Sequence, residues 1–440
     1  MSDSREVRLK YGVVKGSEED ESVVYKGIPY ARPPVGALRF CPPQEAEPWN
    51  GVLCADSFPN RNYMPVSDGK SFYDKEFYWD PKYETPYSED CLYLNIWQPK
   101  NDQKAPFPVA FWIHGGGYDH GYGHEMEFDG AEYNKRGVLL VTFNYRVGVL
   151  GFLAHPWLSQ ESEEKISGNY GLLDQIFALK WVRENISSFG GDPDNITVFG
   201  QSAGAVSAQI LTTSPLTENW ISKAIFQSGL SYYTGVFSNT RLAEAEQTGS
   251  EFTKYCGIGS LDELRSIAPE KLLEYQIAFS RLHPDRLMCF SPNIDNHLLT
   301  EDLEKSVEKG SIKNISYMLG STKDDVWVTT EILDRGEKGP LYESIEAWSR
   351  KVIENSMKAP YVYYFTRDLP GDDAGSFHSA ELWYTFGTLS RSSRPMGKDD
   401  YVLSREMLDA WTEFMKSGSP GNGWECYDKI KIFDVPVEFV

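Results

Sequence analysis

The sequence offers no apolar run long enough to cross a bilayer. Its longest, residues 108–113 and 138–143, fall far short of the roughly 20 residues a spanning helix needs. Its opening, MSDSREVRLKYGVVKGSEEDE, is polar and charged and lacks the apolar core of an export signal. Positive charge is scarce as well. The 440 residues carry 43 Lys and Arg against 64 Asp and Glu, a net −21, and such a surface repels phosphate backbones and anionic membranes. The six cysteines form no CxxC pair, which excludes a disulfide framework and a zinc site and points to reduced, mostly buried thiols. No low-complexity tract is present. With 41% hydrophobic and 14% aromatic residues, a disordered or fibrous chain is excluded. The expectation is a cytoplasmic protein, a monomer or weak homo-oligomer, with no nucleic-acid or membrane partner.

Short β runs alternate with amphipathic helices, which predicts an α/β fold with a mostly parallel or mixed sheet covered by helices on both faces. Strands are expected at 109–113, 139–144, 196–199, 224–227, 316–319 and 361–365. Leu172, Ile176, Leu179, Val182 and Ile186 recur at steps of three and four, and Gly190 and Gly191 stop that helix. A second helix over 403–414 presents Leu403, Met407, Leu408, Trp411 and Phe414 on one face. No repeat or linker divides the chain. A single domain over 1–440 is expected, with a helical insertion at about 231–308 lying over the sheet and active site.

The sharpest motif is Gly200-Gln201-Ser202-Ala203-Gly204, a GxSxG pattern. Five positions alone are weak evidence, but a strand precedes them and the small residues AGAVSAQIL that follow can open a helix. That layout is a nucleophile elbow: the turn needs glycines at its flanks, exposes the Ser202 hydroxyl, and sets a helix N-terminus beneath it. His114-Gly115-Gly116-Gly117 follows its own strand, where bare backbone N–H groups can approach a substrate oxygen. Gly116 and Gly117, with the N–H of Ala203, are the candidate oxyanion hole; one such donor is typically worth about 3 kcal/mol in the transition state. His114 reads as ordering this loop rather than as a base.

Of seven histidines, only His283, His297 and His378 lie downstream of Ser202, as the Ser–acid–His order requires. His378 follows the 361–365 strand, on the side of the sheet where ligands bind, and is the candidate base. The acid is expected after the 316–319 strand, where Asp324 and Asp325 are adjacent and spacing alone does not separate them. Ser228 is placed to hydrogen-bond a carboxylate behind such a triad. His120, His124, Glu125 and Glu127 crowd a glycine-rich loop, but the chemistry needs no metal and none is assigned. Tyr118, Tyr122, Phe128, Trp327 and Trp383 flank these loops as candidate pocket aromatics. The Asn-x-Ser/Thr triplets at Asn185, Asn195 and Asn314 carry no meaning without secretion.

Together these residues resemble the type B carboxylesterase family of bacterial para-nitrobenzyl esterases and cholinesterases. The resemblance also rests on Gly27-Ile-Pro-Tyr-Ala-Arg-Pro-Pro34, Glu89-Asp-Cys-Leu-Tyr-Leu-Asn-Ile96, Asn144-Tyr-Arg-Val147, Gly168-Asn-Tyr-Gly171 through Asp174-Gln175, and Phe189-Gly-Gly-Asp-Pro193. It implies an α/β-hydrolase fold, Ser202 as nucleophile, His378 as base, and oxyanion donors at Gly116, Gly117 and Ala203. Aligning GSTKDDV with the family's acid loop implies Asp325 at the triad position, normally Glu, with Glu381 as a further candidate. The resemblance implies a serine carboxylesterase acting on small to medium acyl or aryl esters through an acyl-enzyme, with no cofactor and a small-molecule ester as its partner. Another acyl hydrolase (a feruloyl-type esterase, lipase or amidase) and a non-catalytic binding module on the same fold are the competing readings. The family's first disulfide pairs the cysteine matching Cys91 with one upstream, but residues 60–64 hold none and Cys54 is out of register. Gln201 stands where cholinesterases carry Glu, which argues against a quaternary-ammonium substrate. The segments between Asp325 and His378 and after His378 are short for the family, so a more open pocket that admits bulky esters is expected.

Overall fold

The computed structural model describes residues 5–435 except 67–68, 101–104, 234–238, 285 and 287. Ten strands make one sheet: Ser17–Glu19 (β1), Ser22–Pro29 (β2), Tyr93–Pro99 (β3), Phe107–Ile113 (β4), Leu139–Phe143 (β5), Gly191–Gln201 (β6), Lys223–Gln227 (β7), Ser316–Thr322 (β8), Tyr361–Phe365 (β9) and Ile430–Phe433 (β10). Their order is β10-β9-β8-β7-β6-β4-β5-β3-β2-β1. Pairing is parallel from β5 and β4 through to β10 and antiparallel among β1, β2, β3 and β5. All six expected strands are present. The antiparallel end makes the sheet a mixed one, and its strands β1, β2 and β3 lie outside the six expected.

Alternation along the strands sets the layers. On β4, Val109, Phe111 and Ile113 enter one core while Ala110 and Trp112 enter the other, on the opposite face of the sheet. The helix Tyr170–Asn185 brings Leu172, Ile176, Leu179 and Val182 to the first core. It ends where Gly190 adopts φ 76° after a 3₁₀ turn. The helix Lys398–Ser417 lays Leu403, Met407, Leu408, Trp411 and Phe414 on the second. Within 231–308, helices Leu242–Cys256, Leu261–Ser266 and Pro269–Leu282 send Phe252, Leu264, Leu272 and Phe279 into the first core. None of the six cysteines is in a disulfide, and no helix among the described residues is long and apolar enough to cross a membrane.

The motif residues Arg146 and Asp174 form a buried, two-pronged ion pair, with Arg146 Nε and Nη2 2.8 and 2.7 Å from the carboxylate oxygens. Arg146 also donates to the Cys41 carbonyl, and its own backbone N–H donates to Asp174. The pair therefore ties the loop after β5 to the helix Tyr170–Asn185. Asp174→Ala leaves a guanidinium buried without a counter-charge and is expected to cost about 3–5 kcal/mol of stability, read from urea unfolding. A loss below 1 kcal/mol would mean water replaces the carboxylate.

Candidate active site

Strand β6 ends at Gln201 and the helix Ala203–Thr213 begins two residues on, so Ser202 makes the whole turn. Its φ of 56° and ψ of −128° lie where non-glycine residues are rare, a strain of about 1–3 kcal/mol. The turn is held by the Ser202 N–H, which donates to the Gln227 carbonyl at the end of β7 (2.9 Å). Space is the second constraint: a Cβ on Gly204 would stand 2.1 Å from the Ile113 carbonyl, so only glycine lets the helix start this close to β4.

Gly115, Gly116 and Gly117 line the same cavity as Ser202, at the end of β4. Gly116 has φ 98°, and a Cβ there would meet the His120 carbonyl at 2.3 Å. His114 is fully buried. Its ring stacks on Tyr145 at 4.2 Å, its Nδ1 lies 2.9 Å from the Gly115 carbonyl, and Tyr145 Oη donates to the His114 carbonyl. Burial pushes its pKa down to about 3, so it stays neutral and serves the loop's geometry.

His378 Nδ1 lies 2.5 Å from Asp325 Oδ1. Asp325 is anchored by two further donors, Thr322 N–H to Oδ2 (3.1 Å) and Val326 N–H to Oδ1 (2.8 Å). Burial alone would raise its pKa; the His378 imidazole, the nearby Ser228 hydroxyl and the Thr322 N–H outweigh that and hold it below the ordinary value. Ser228 Oγ is buried beside this carboxylate and favours its charge. Burial likewise lowers the His378 pKa, yet the Asp325 carboxylate, helped by Glu381, raises it above 6.5 on balance. Asp324 is turned away. It accepts from Ser376 N–H (2.8 Å), and its own N–H donates to the Ser376 carbonyl, which staples the two loops together. Glu381 is buried too. It is reached by Gln227 Nε2 at 3.4 Å, and Gln227 in turn accepts from Trp411 Nε1 at 3.1 Å. Burial, then the charge of Asp325, pushes Glu381 up to about 7. The geometry thus separates three carboxyls that the sequence left open, with Asp325 alone on the imidazole.

At the other ring nitrogen, Gln201 Nε2 donates to His378 Nε2 at 3.1 Å. Since Asp325 accepts the hydrogen bond of Nδ1–H, this fixes the neutral tautomer whose Nε2 lone pair accepts a proton. The sequence reading treated Gln201 only as a replaced glutamate. The cavity, about 220 Å³, is lined by Tyr73, Phe77, Tyr78, Trp112, Phe128, Val326 and Leu382 around Ser202 and His378, with Glu125 and Glu127 on its wall. Of the aromatics expected there, Phe128 lines it. Trp383 lies behind, stacked on Phe77 at 5.2 Å, Tyr118 packs on Phe152, Tyr122 sits beside Tyr78, and Trp327 is partly exposed outside it. Among the described residues, none from 231–308 lines it. The short helix Phe72–Phe77 contributes Tyr73 and Phe77 to the wall, and Tyr73 Oη donates to the His378 carbonyl at 3.2 Å. The aromatic density of FYDKEFYW was the signal for it.

A sequence profile of the carboxylesterase family matches residues 3–358 and 338–433. The chain is 35% identical to the para-nitrobenzyl esterase of Bacillus subtilis, over 96% of this chain and 92% of that one. It is also 35% identical to the fumonisin B1 esterase of Sphingopyxis macrogoltabida, over 94% and 82%. A solved para-nitrobenzyl esterase structure superposes with TM-score 0.84 at 31% identity, covering 98% of this chain and 96% of that one. A thermophilic para-nitrobenzyl esterase gives 0.82 at 32%. The architecture is thus the α/β-hydrolase fold, and the chemistry of its relatives is carboxylic-ester hydrolysis. The chain belongs to the carboxylesterase family and is a carboxylic-ester hydrolase.

The electrostatics make a direct prediction for His378. Carboxylates favour the imidazolium, so Asp325→Asn should lower its pKa and Gln201→Glu, which sets a new carboxylate beside Nε2, should raise it. Titration of the imidazole by NMR reads both shifts; an unchanged value in Asp325→Asn would mean another group dominates.

Proposed function

We propose that the protein is a serine carboxylesterase in which Ser202, His378 and Asp325 form the catalytic triad. The carrying observation is the 2.5 Å contact of His378 Nδ1 with Asp325 Oδ1, within a cavity that also holds the strained Ser202 turn. His378 takes the Ser202 proton through Nε2, and Ser202 Oγ attacks the ester carbonyl. The backbone N–H groups of Gly116, Gly117 and Ala203 hold the oxyanion, the last backed by the N-terminus of the helix Ala203–Thr213. His378 returns the proton to the leaving alcohol, then activates a water that cleaves the acyl-enzyme. Gln201 must give way to Ser202 at Nε2, so its amide acts as a latch on the resting imidazole. A neutral imidazole is required. Because the His378 pKa is raised, activity should fall on acidification at a pH above the ordinary histidine value of 6.5.

Aromatic and aliphatic walls suit apolar acyl or aryl esters, and two relatives are named for para-nitrobenzyl and fumonisin B1 esters. We read residues 231–308 as a helical insertion in one domain, and the unpaired cysteines support a reducing, cytoplasmic setting.

Hydrolysis of p-nitrophenyl acetate, butyrate and octanoate tests the reading. Ser202→Ala should lose about 10⁶-fold in kcat, and Asp325→Ala several orders of magnitude, while Asp324→Ala retains most activity. The chain-length trend sizes the pocket. Wild-type rates surviving in Ser202→Ala would overturn the nucleophile, and a collapse in Asp324→Ala would move the acid.

A further inference from the structure

The wall of the catalytic cavity beside His378 is built on a helix too short to stand alone. Phe72–Phe77 has 6 residues, where an isolated helix needs about 12 or more. A capping box sets its start: the Asp74 N–H donates to Ser71 Oγ and the Ser71 N–H to Asp74 Oδ2. One turn apart, Tyr73 and Phe77 line the cavity with their rings stacked at 6.2 Å. No disulfide fastens this segment, since all six cysteines are free.

Its fastening is Glu76, which is buried and does not line the cavity. Arg394 Nε lies 3.0 and 2.9 Å from its two carboxylate oxygens, and Trp383 Nε1 donates to Oε1 at 3.2 Å. The other end of the guanidinium grips the loop that carries His378. There Nη1 and Nη2 donate to Asp372 Oδ1 and Oδ2 at 2.6 and 3.2 Å, and Nη1 also reaches the Pro370 carbonyl. Its carbon lies 6.0 and 5.2 Å from the rings of Phe72 and Phe377, which meet edge to face at 4.8 Å. Arg394 thus joins the helix to the residues just before His378, and the bond from Tyr73 Oη to the His378 carbonyl lies beyond the joint. A buried ion pair is often no more stabilising than apolar residues of like volume. What this one supplies is a fixed position.

We propose that the Glu76–Arg394 pair is a clasp that holds Tyr73 and Phe77 as the subsite for the alcohol half of the ester, and so sets which alcohols are accepted without touching them. This rests on the serine-esterase reading above. His378 returns its proton to the leaving alcohol, so that oxygen must come within hydrogen-bond reach of Nε2. The group it carries then lies against the wall beside His378. Tyr73 is bonded to the His378 backbone and Phe77 stacks on Tyr73, so two rings receive a flat aryl or benzyl group. Glu76 and Arg394 are positioning residues; Tyr73 and Phe77 are specificity residues.

The test compares two ratios of kcat/KM. Benzyl against ethyl butanoate reads the alcohol half, and ethyl butanoate against ethyl acetate reads the acyl half. Glu76→Leu combined with Arg394→Met keeps the buried volume filled and leaves no lone charge. It should lower the first ratio about tenfold, mainly through KM, and leave the second within about twofold of wild type. Tyr73→Ala should lower the first ratio about as far, and adding it to the paired substitution should bring little further loss, because both act through one wall. Asp372→Ala changes only the exposed end of the clasp, so it folds whatever the pair contributes to stability. It should lower the first ratio alone, by about two- to threefold. A first ratio unchanged in any of these variants, a fall of both ratios together, or fully additive losses would overturn the clasp. Calorimetric titration with benzyl alcohol needs no turnover and separates this claim from the identity of the nucleophile. Wild type should bind it several-fold more tightly than Tyr73→Ala or the paired variant, even if Ser202→Ala kept full activity. Equal affinities would overturn the subsite whichever residue attacks the ester.

Discussion

A serine forced into a left-handed turn at the end of the central strand is the constraint on which the rest of this site depends. Ser202 at φ 56° is bound on one side to β7 through the Gln227 carbonyl and packed on the other against β4 across Gly204. Neither contact exists unless β4, β6 and β7 lie side by side in parallel, so the site is a property of the whole sheet. Other residues with positive φ gather at the same end: Tyr118 at 62°, Ser228 at 47° and Ser379 at 80°. Strain of this kind persists only where surrounding structure over-determines it. Here the over-determination comes from the two cores that clamp the sheet from either face, with Trp112 and Phe199 in one and Ile113 and Val198 in the other.

Four buried carboxyls surround the catalytic centre, and hydrogen bonds rather than depth decide their charge. Asp325 receives two backbone N–H groups and the imidazole, and is held ionised. Glu381, equally removed from water, receives one long contact from Gln227 and is pushed up to about 7. Glu125 takes donors from Tyr78 Oη and the Tyr122 N–H, whereas Glu127 lies against the Glu125 carboxyl and is pushed well above the ordinary value. Because each charge opposes its neighbour, ionised Asp325 helps keep Glu381 protonated. Asp325 is the carboxylate in contact with the imidazole, where an ion pair with a transient imidazolium forms.

Legibility in the sequence followed how local each constraint is. The elbow, the glycine triplet and the strands that precede them are written in contiguous residues, and so is the helix Tyr170–Asn185 with its three-and-four spacing. The choice between Asp324 and Asp325 was not legible from spacing, since adjacent residues at a strand end point opposite ways and only the loop's final direction tells which meets His378. The pocket wall was harder still. Tyr73 and Phe77 reach the cavity from a six-residue helix, and Tyr78 from just past its end, far from every motif, so no period or spacing links them to Ser202. The aromatics that do neighbour the motifs, such as Tyr118 and Trp383, mostly went to packing.

The same reasoning explains how an aspartate reaches the imidazole here. A shorter carboxylate reaches the imidazole only if its backbone lies closer, and here the backbone is drawn in. Asp324 exchanges two hydrogen bonds with Ser376, joining the acid loop to the histidine loop one residue before Asp325 and two before His378. The pair then meets at 2.5 Å without the extra methylene. Of the two adjacent aspartates, one therefore sets the distance and the other uses it. Neither role is readable from the dipeptide alone, because each is defined by a loop that arrives from the next strand of the sheet.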